Sequence, residues 1–273
     1  MYLITGATGN VGGELVRALT GAGEPVRALL RPGRTPPPDA EAAVGDLNDP
    51  ESLRPALTGV TGLFLLPGYR DTSAVLAEAA RAGVRRVVLL SGASADGDPG
   101  NAITRYMAAS ESAVRASGLP ATVLRPSAFM SNTLQWLPQL RAGDLVRAPF
   151  AAVAAATVDP ADIAAVAALA LRTEDHAGRT YRLTGPEPLR PADRVAVLAE
   201  VLGRPLWFEA QPDDEARAEL SASMPAEFVD AFFDFYVGGT LDESPVLPTV
   251  PELTGRPART FREWAEAHRA RLR

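Results

Sequence analysis

The first part of the chain alternates short apolar runs with longer segments whose apolar residues recur at helical spacing. Each run is bounded by Gly or Pro and has the length and composition of a buried strand. Six such runs cover residues 2–5, 26–30, 42–44, 63–66, 87–90 and 121–124. Strands that alternate with helices predict a parallel sheet covered by helices on both faces, which is the doubly wound α/β architecture.

The segments between these strands carry the start and stop signals of helices. An apolar stripe runs from Val11 to Leu19 and is followed by glycine, and Pro50 follows an N-cap aspartate. Helices are also predicted over 73–82 and 106–117, and a glycine follows each of them. The sequence therefore predicts helices of the length that a parallel sheet needs for its crossovers.

From residue 127 onward helical stripes predominate, and all three Trp lie there. Helix starts are predicted at Asp159 and Thr260, an apolar stripe over 195–202 predicts a further helix, and one more strand is predicted at 180–184. We therefore predict two domains. The sheet domain comprises residues 1–126 plus about 153–186, and a smaller, mainly helical domain comprises about 127–152 plus 187–273.

Composition restricts the chemistry that this fold can carry. The 273 residues include no Cys, and none of the 27 basic residues is Lys. A Cys nucleophile, a Cys-type zinc site, a Schiff-base lysine and a catalytic Tyr–Lys pair are therefore excluded. No other potential metal ligands lie at metal-binding spacing from His176 or His268, so no metal is expected. We expect His176 to be exposed and His268 to be packed.

The net charge of −6 disfavours nucleic acid as a partner, because proteins that bind it usually present a basic face. The longest uncharged apolar stretch, residues 148–158, is too short to span a membrane. No leader pattern precedes the first strand. We expect a cytoplasmic protein that is a monomer or a homodimer.

Residues 5–13 read TGATGNVGG, directly after the first strand and at the start of the first helix. Gly6, Gly9 and Gly12 fall at the spacing that allows a tight turn, close approach to a pyrophosphate and helix–strand packing. A bare turn is the alternative, but the strand before and the helix after it favour a dinucleotide site. The sheet domain is therefore expected to be a Rossmann-like cofactor domain.

The end of the second strand indicates which cofactor binds. Residues 29–34 read LLRPGR, without the acidic residue that accepts a hydrogen bond from the 2′-hydroxyl of NAD. Arg31 and Arg34 can instead pair with a 2′-phosphate. The alternative is that Arg31 and Arg34 are only solvated surface residues and bind no phosphate. The sequence predicts NADP(H).

Several further motifs carry a resemblance to a known family. They are VRALLR at 26–31, GDL at 45–47, VVLLS at 87–91, SGLPATVLRP at 117–126, FMSN at 129–132 and YRLTGP at 181–186. With the glycine motif they cover nearly the whole chain, which resembles an atypical short-chain dehydrogenase/reductase of the NmrA-like group. Such proteins include NADPH-dependent quinone and ketone reductases, isoflavone-reductase-like enzymes and nucleotide-sensing regulators.

The resemblance implies a set of cofactor contacts. Those to the pyrophosphate would come from Gly6, Thr8, Gly9, Asn10, Val11 and Gly12, and those to the 2′-phosphate from Arg31 with Arg34. Asp46 and Leu47 would flank the adenine, and Leu66, Pro67 and Gly68 the nicotinamide ribose. The nicotinamide would lie against Ser91, Gly92 and Ala93 and be covered by Pro126, Ser127 and Phe129.

The chain departs from the family in its catalytic pair. The register of relatives puts the usual Tyr near Ile103 and the usual Lys near Met107, while Tyr106 lies beside this register with Ser110 four residues on. Ser91, Ser94 and Tyr106 are the candidate catalytic residues for stabilising or protonating the product oxyanion. The alternative is that the two Ser hydroxyls only form hydrogen bonds with loop backbone and that the Tyr106 ring only packs against its neighbours.

The second domain is expected to bind substrate. Its candidate contacts are Ser127, Phe129, Asn132, Trp136 and Phe232. Phe232 belongs to an aromatic stripe with Phe228 and Phe235, for which core packing is the alternative. We predict an NADPH-dependent ketoreductase or quinone reductase acting on an aromatic small molecule. The alternative function is a non-catalytic NADP(H) sensor.

Overall fold

The computed structural model describes residues 1–273, and the chain divides into two compact units. Unit 1 comprises Met1–Ala95, Arg105–Pro126 and Pro160–Leu183. Unit 2 comprises Asp96–Thr104, Ser127–Asp159 and Thr184–Arg273.

The chain forms nine strands and twelve helices. The strands are β1 (Tyr2–Ile4), β2 (Val26–Leu30), β3 (Glu41–Val44), β4 (Gly62–Leu65), β5 (Arg86–Leu90), β6 (Ala121–Pro126), β7 (Leu145–Ala148), β8 (Thr180–Leu183) and β9 (Trp207–Ala210). The helices are α1 (Asn10–Gly21), α2 (Arg54–Leu57), α3 (Thr72–Arg81), α4 (Ala102–Ala116), α5 (Leu137–Ala142), α6 (Pro160–Arg172), α7 (Pro191–Leu202), α8 (Asp213–Ser221), α9 (Ala226–Tyr236), α10 (Thr249–Thr254), α11 (Phe261–Ala267) and α12 (Arg269–Leu272). Short 3₁₀ helices lie at Pro50–Leu53, Ala93–Asp96 and Met130–Trp136.

Unit 1 is built on a seven-stranded parallel sheet in the order β3-β2-β1-β4-β5-β6-β8. The strand order reverses direction between β1 and β4, as it does in dinucleotide-binding sheets. This topology confirms the predicted doubly wound, Rossmann-like fold. The carboxyl ends of β1, β2, β4 and β5 therefore lie along one edge of the sheet, where such folds bind ligands.

Burial of the strand side chains holds unit 1 together. Leu3, Leu63 and Leu89 from three strands pack in one cluster with Leu57 and Leu76 from the helices. All five are at most 1% exposed. Each such side chain contributes about 1.5–3 kcal/mol by leaving water, so the strand ends are fixed by a rigid layer beneath them.

Unit 2 is mainly helical but also contains a two-stranded parallel sheet of β7 and β9. Trp136, Leu198, Phe261 and Trp264 form the centre of its core. Residues 153–159, which the sequence assigns to the sheet domain, cluster with unit 2, where the backbone of Ala155 pairs with that of Leu189. No helix anywhere in the chain combines the length and the apolar character needed to cross a bilayer.

Candidate cofactor and substrate sites

The glycine motif forms a tight turn between β1 and α1. Gly6 has a φ of +63°, and its carbonyl accepts a hydrogen bond from the Gly9 N–H at 2.8 Å. A Cβ on Gly12 would lie 2.2 Å from the Gly6 carbonyl oxygen, and a Cβ on Gly6 would lie 2.5 Å from Cδ1 of Leu66. A side chain on Gly12 is therefore excluded by the Gly6 backbone, and one on Gly6 by its positive φ and by the Leu66 side chain.

The start of α1 is open for an anion. Its N-cap is Gly9, which supplies no capping side chain, and the first turn contains no acidic residue. The unpaired N–H groups and the positive end of the helix dipole favour a phosphate there. Thr8 and Asn10 are exposed beside the turn, whereas Val11 is buried beneath it. The turn thus fits the pyrophosphate of a dinucleotide.

Two arginines follow β2, as the sequence predicts for a 2′-phosphate site. Arg31 and Arg34 are exposed, and neither side chain forms an ion pair or a hydrogen bond within the chain. Asp46, after β3, accepts a hydrogen bond from the Asn48 N–H at 2.9 Å, and Leu47 is buried. The edge of the sheet therefore presents two uncommitted guanidinium groups.

The segment after β4 lies against the glycine turn. The Leu66 N–H donates to the Thr5 hydroxyl at 3.1 Å. The next residues touch α4, because the Tyr106 hydroxyl donates to the Pro67 carbonyl at 3.1 Å and the Gly68 N–H donates to the Ser110 hydroxyl at 3.1 Å. Tyr106 is 37% exposed, and burial of the remainder raises the pKa of its hydroxyl.

Tyr69 is a residue of this edge that the sequence analysis does not include. Burial, together with nearby Tyr106, raises the pKa of its hydroxyl, while a hydrogen bond with Thr5 and the charge of Arg31 act in the opposite direction. Its phenol therefore lies among the residues expected to hold the nucleotide. The only sequence signal is its position directly after Gly68.

Ser91 is held in a buried charge cluster. Its hydroxyl donates to Oε1 of Glu111 at 2.7 Å, and the same carboxylate accepts from Arg125 at 2.8 Å and from Arg115 at 2.7 Å. Burial alone would raise the pKa of Glu111, but hydrogen bonds from Arg125, Ser91 and Arg115 outweigh it and hold the pKa below its usual value. The Ser91 proton is thus committed to a structural hydrogen bond.

The remaining residues after β5 are tightly packed. Ala93 and Ser94 are both buried in the short 3₁₀ helix. A Cβ on Gly92 would lie 3.5 Å from Cε of Met107 and 3.7 Å from the Ser94 hydroxyl. Met107, at the position where the family resemblance leads us to expect Lys, therefore packs beside Gly92 and supplies an apolar surface.

Unit 2 contains a cavity of about 490 Å³ whose wall is mostly apolar. Three of the predicted substrate residues, Asn132, Trp136 and Phe232, line it. Ser127 and Phe129 do not, because the Ser127 hydroxyl donates to the Ala156 carbonyl and the Phe129 backbone pairs with Val158. Further apolar lining comes from Ala148, Pro149, Phe150, Val153, Leu189, Leu220, Met224 and Tyr236.

The aromatic stripe of α9 serves both the core and the cavity. Phe233 and Phe235 are buried, whereas Phe232 and Tyr236 face the cavity with a ring separation of 6.2 Å. Phe150 packs against Tyr236 at 5.0 Å. The cavity is thus lined by flat aromatic surfaces, which suit a planar ligand.

Two charged side chains also line the cavity, and the sequence analysis includes neither of them. Arg194 lies over the Trp136 ring at 4.9 Å. Glu243 accepts hydrogen bonds from the Tyr236 hydroxyl at 3.0 Å and the Ala128 N–H at 2.8 Å. Burial and the neighbouring carboxylate raise the pKa of Tyr236.

Both histidines have structural partners. His176 is half-buried rather than fully exposed and contacts the Tyr181 hydroxyl at 2.9 Å. His268 stacks on Trp264 and hydrogen-bonds the carbonyl of the same residue at 2.8 Å. No group of His, Asp and Glu in the structure is arranged to hold a metal ion.

Comparison with known proteins identifies the family. The sequence profile described as NAD(P)H-binding matches residues 6–174, which include the glycine turn, the end of β2 and the Ser91 segment. The chain belongs to this NAD(P)H-binding family. The match confirms the predicted resemblance to atypical short-chain dehydrogenases of the NmrA-like group, and the protein binds a nicotinamide cofactor.

Named relatives align over the full chain. The (4-alkanoyl-5-oxo-2,5-dihydrofuran-3-yl)methyl phosphate reductase of Streptomyces griseus is 45% identical, with 98% of each chain covered. The NAD(P)H azoreductase of Xenophilus azovorans is 35% identical, with 99% of this chain and 98% of the relative covered. These relatives class the protein as an NAD(P)H-dependent oxidoreductase.

A solved structure shows the same fold. The NADPH-dependent quinone oxidoreductase of Escherichia coli superposes with a TM-score of 0.77 at 24% identity, covering 99% of this chain and all of that one. The two chains therefore share one fold over nearly their whole length.

Proposed function

We propose that the protein is an NADPH-dependent reductase that transfers hydride to a ketone or quinone carbonyl of an aromatic small molecule. The aromatic cavity of unit 2, in a chain whose unit 1 carries the open glycine turn, is the observation that carries this proposal. A cavity of this size suits a small molecule. The planar surfaces of Phe232, Tyr236 and Trp136 favour an aromatic or conjugated ring system.

NADPH is proposed over NADH because of the charge at the end of β2. Arg31 and Arg34 are unpaired there, and neither has a carboxylate that would compete for it. The glycine turn and the α1 N-terminus would hold the pyrophosphate, as both lack side chains that would fill the space. The bound cofactor supplies the hydride, so the protein has to bind, orient and provide a proton.

Tyr106 is the proposed proton donor. The resemblance puts the nicotinamide ribose at Pro67 and Gly68, and the Tyr106 hydroxyl contacts this same dipeptide. Its raised pKa keeps the phenol protonated at neutral pH, as a general acid requires. Ser91 and Ser94 are weaker candidates because both are buried, and because Ser91 donates to the charged Glu111 carboxylate, a stronger acceptor than the Pro67 carbonyl beside Tyr106. The absent lysine leaves the phenol without the cation that usually lowers its pKa.

The relatives support a substrate with a conjugated system of double bonds. The Streptomyces griseus protein is named for a substrate with an oxo group on a dihydrofuran ring, an alkanoyl group and a methyl phosphate. The Xenophilus azovorans protein is named for azo compounds. Both kinds of substrate can accept electrons into a conjugated system, so the reduced product depends less on a proton donor of the protein.

Steady-state oxidation of NADPH with a panel of quinones, hydroxy-aromatic ketones and azo dyes tests the proposal. Turnover of one class at rates well above the background without protein is the expected result. Absence of turnover with every class, together with intact NADPH binding, would contradict it and favour the nucleotide-sensing alternative.

A further inference from the structure

Arg194 lies on the apolar face of α7. It shares this face with Leu198 and Val201, which follow at i+4 and i+7 and are both buried. Arg194 also lines the cavity of unit 2 and is the only cationic side chain that does so. An arginine on the apolar face of a helix requires an explanation, because its Nε–H is buried away from water there.

The chain itself does not satisfy this guanidinium. The Arg194 Nε–H is buried and has no hydrogen-bond partner, and no carboxylate lies within ion-pair distance of the side chain. Arg147 and Arg204, in the same unit, each bind a carboxylate. The contact with the Trp136 ring stabilises the charge but accepts no hydrogen bond in the plane of the guanidinium.

The carboxylate of the cavity is engaged elsewhere. Glu243 accepts hydrogen bonds from the Tyr236 hydroxyl and from the Ala128 N–H, so both partners disperse its negative charge. Burial lowers the pKa of Arg194 to about 10, which still leaves it protonated at neutral pH. The cavity therefore holds a cation whose donors point to no acceptor of the protein.

We infer that Arg194 is an anion-binding subsite in the substrate cavity, and that the substrate carries a carboxylate or phosphate oxyanion beside its conjugated ring. A planar guanidinium presents paired N–H groups that match two oxygens of such a group. The Trp136 face beneath it fixes the orientation of the fork. This inference rests on the proposed function for the identity of the cavity as a substrate site.

Calorimetric titration of NADP⁺-saturated protein tests the subsite without any turnover. Phenyl phosphate and benzoate are compared with phenol, which has the same ring but no full charge. Saturation with NADP⁺ keeps phosphate away from the glycine turn. The wild type should bind at least one of the two anions at least tenfold more tightly than phenol, and which anion it prefers distinguishes phosphate from carboxylate.

Arg194→Met should lose that preference, with the anion bound at least tenfold more weakly and phenol unchanged. Arg217→Met is the matched control, because Arg217 also lies over an aromatic ring, that of Phe233, but outside the cavity. It should retain wild-type binding of both anions. Equal affinity of the wild type for anions and phenol, or undiminished anion binding by Arg194→Met, would overturn the inference.

Thermal unfolding distinguishes a binding role of Arg194 from a structural role. It remains informative if Arg194→Met folds poorly, because the ligand-induced Tm shift is measured on the wild type. Phenyl phosphate or benzoate should raise the Tm of the wild type more than phenol does, since only a ligand of the native state stabilises it. Arg194→Lys keeps the charge and should retain part of this shift. If neither anion raises the Tm of the wild type above the phenol value, the subsite does not exist, whether or not the protein reduces any carbonyl.

Discussion

Tyr106 occupies the space that a side chain on Gly68 would need. A Cβ on Gly68 would lie 1.7 Å from the Tyr106 hydroxyl oxygen and 2.1 Å from Cζ, and the Gly68 φ of +89° is itself unfavourable for other residues. The hydroxyl is held beside this glycine by the Pro67 carbonyl. The glycine is thus what allows the phenol of α4 to lie against the segment after β4.

Gly68→Ala should destabilise unit 1 by more than backbone strain alone. Gly83→Ala is the matched control, since Gly83 has a φ of +87° and open space around it. The control should cost about 1–2 kcal/mol through its φ, and Gly68→Ala about 1–3 kcal/mol more through the clash. Denaturant unfolding measures both. Equal losses in the two variants would show that the contact with Tyr106 is not tight.

Tyr106→Phe should lower kcat by about a hundredfold, because it removes the general acid while keeping the ring. The affinity for NADPH should not change. Tyr181→Phe is the control, since that hydroxyl contacts only His176 in a remote loop of unit 1. An unchanged kcat for Tyr106→Phe would assign the proton to the substrate or to solvent.

The pH profile gives an independent test of the same residue. Burial raises the Tyr106 pKa above the reference value of 10.0, so the acid form persists through neutral pH. We expect kcat to be constant with respect to this group from neutral pH up to that value and to fall only above it. A fall in kcat centred near pH 7–8 would require a different proton donor, because an unperturbed tyrosine ionises near pH 10.

Gly12→Ala should weaken NADPH binding at least about tenfold, because a Cβ placed 2.2 Å from the Gly6 carbonyl must open the turn. Gly13→Ala is the matched neighbour, where the Cβ would make an ordinary contact of 3.5 Å with the Ala7 carbonyl. It should retain affinity and gain about 0.5–1 kcal/mol of helix stability. Comparable NADPH affinities in the two variants would contradict the assigned turn.

Arg31→Ala should reduce NADPH affinity about tenfold or more, as expected for loss of a charged hydrogen bond, and should leave NADH affinity nearly unchanged. Arg17→Ala is the control, because Arg17 is also exposed but pairs with Glu14 on α1. Fluorescence titration with both cofactors measures the effect. Equal affinities of the wild type for NADPH and NADH would exclude the proposed 2′-phosphate site.

Glu111→Gln should cost about 3 kcal/mol or more, because it removes the buried carboxylate that pairs with the mostly buried Arg125 guanidinium. The carboxylate has a lower pKa when folded, so it stabilises the protein above the unfolded value near 4.5. That stabilisation is lost as the pH falls through the folded pKa. The variant should show a shallower loss of stability below pH 4.5, whereas exposed Glu51→Gln should behave as the wild type.

Local patterns predict most of the sheet of unit 1, since β1, β2, β4, β5 and β6 are mainly apolar runs near a Gly or Pro, whereas β3 is mostly exposed and β8 reads TYRL. The glycine turn is also predictable locally, because a Cβ on Gly12 would collide with the backbone carbonyl of Gly6 in the same short motif. The parallel pair β7–β9 cannot be predicted from local patterns. Its strands are only four residues each, lie about 60 residues apart, and include Trp207 at 68% exposure, so no alternation marks them.

The charged residues of the sites depend on long-range packing. Glu111 binds Ser91 across 20 positions, and Glu243 accepts from Ala128 across 115. Arg194 has one local sequence signal, which is its position on the apolar face of α7 with Leu198 and Val201. A polar residue on an apolar stripe is therefore the sequence signal that could have indicated the cavity cation.

Single-turnover mixing of NADPH-loaded protein with a naphthoquinone tests the central claim most directly. The account predicts that bound NADPH is consumed and hydroquinone appears in equal amounts, and that Gly12→Ala loses the reaction at cofactor concentrations that saturate Gly13→Ala. Tight NADPH binding without consumption, for the naphthoquinone and for a hydroxy-aromatic ketone in the same format, would contradict a reductase.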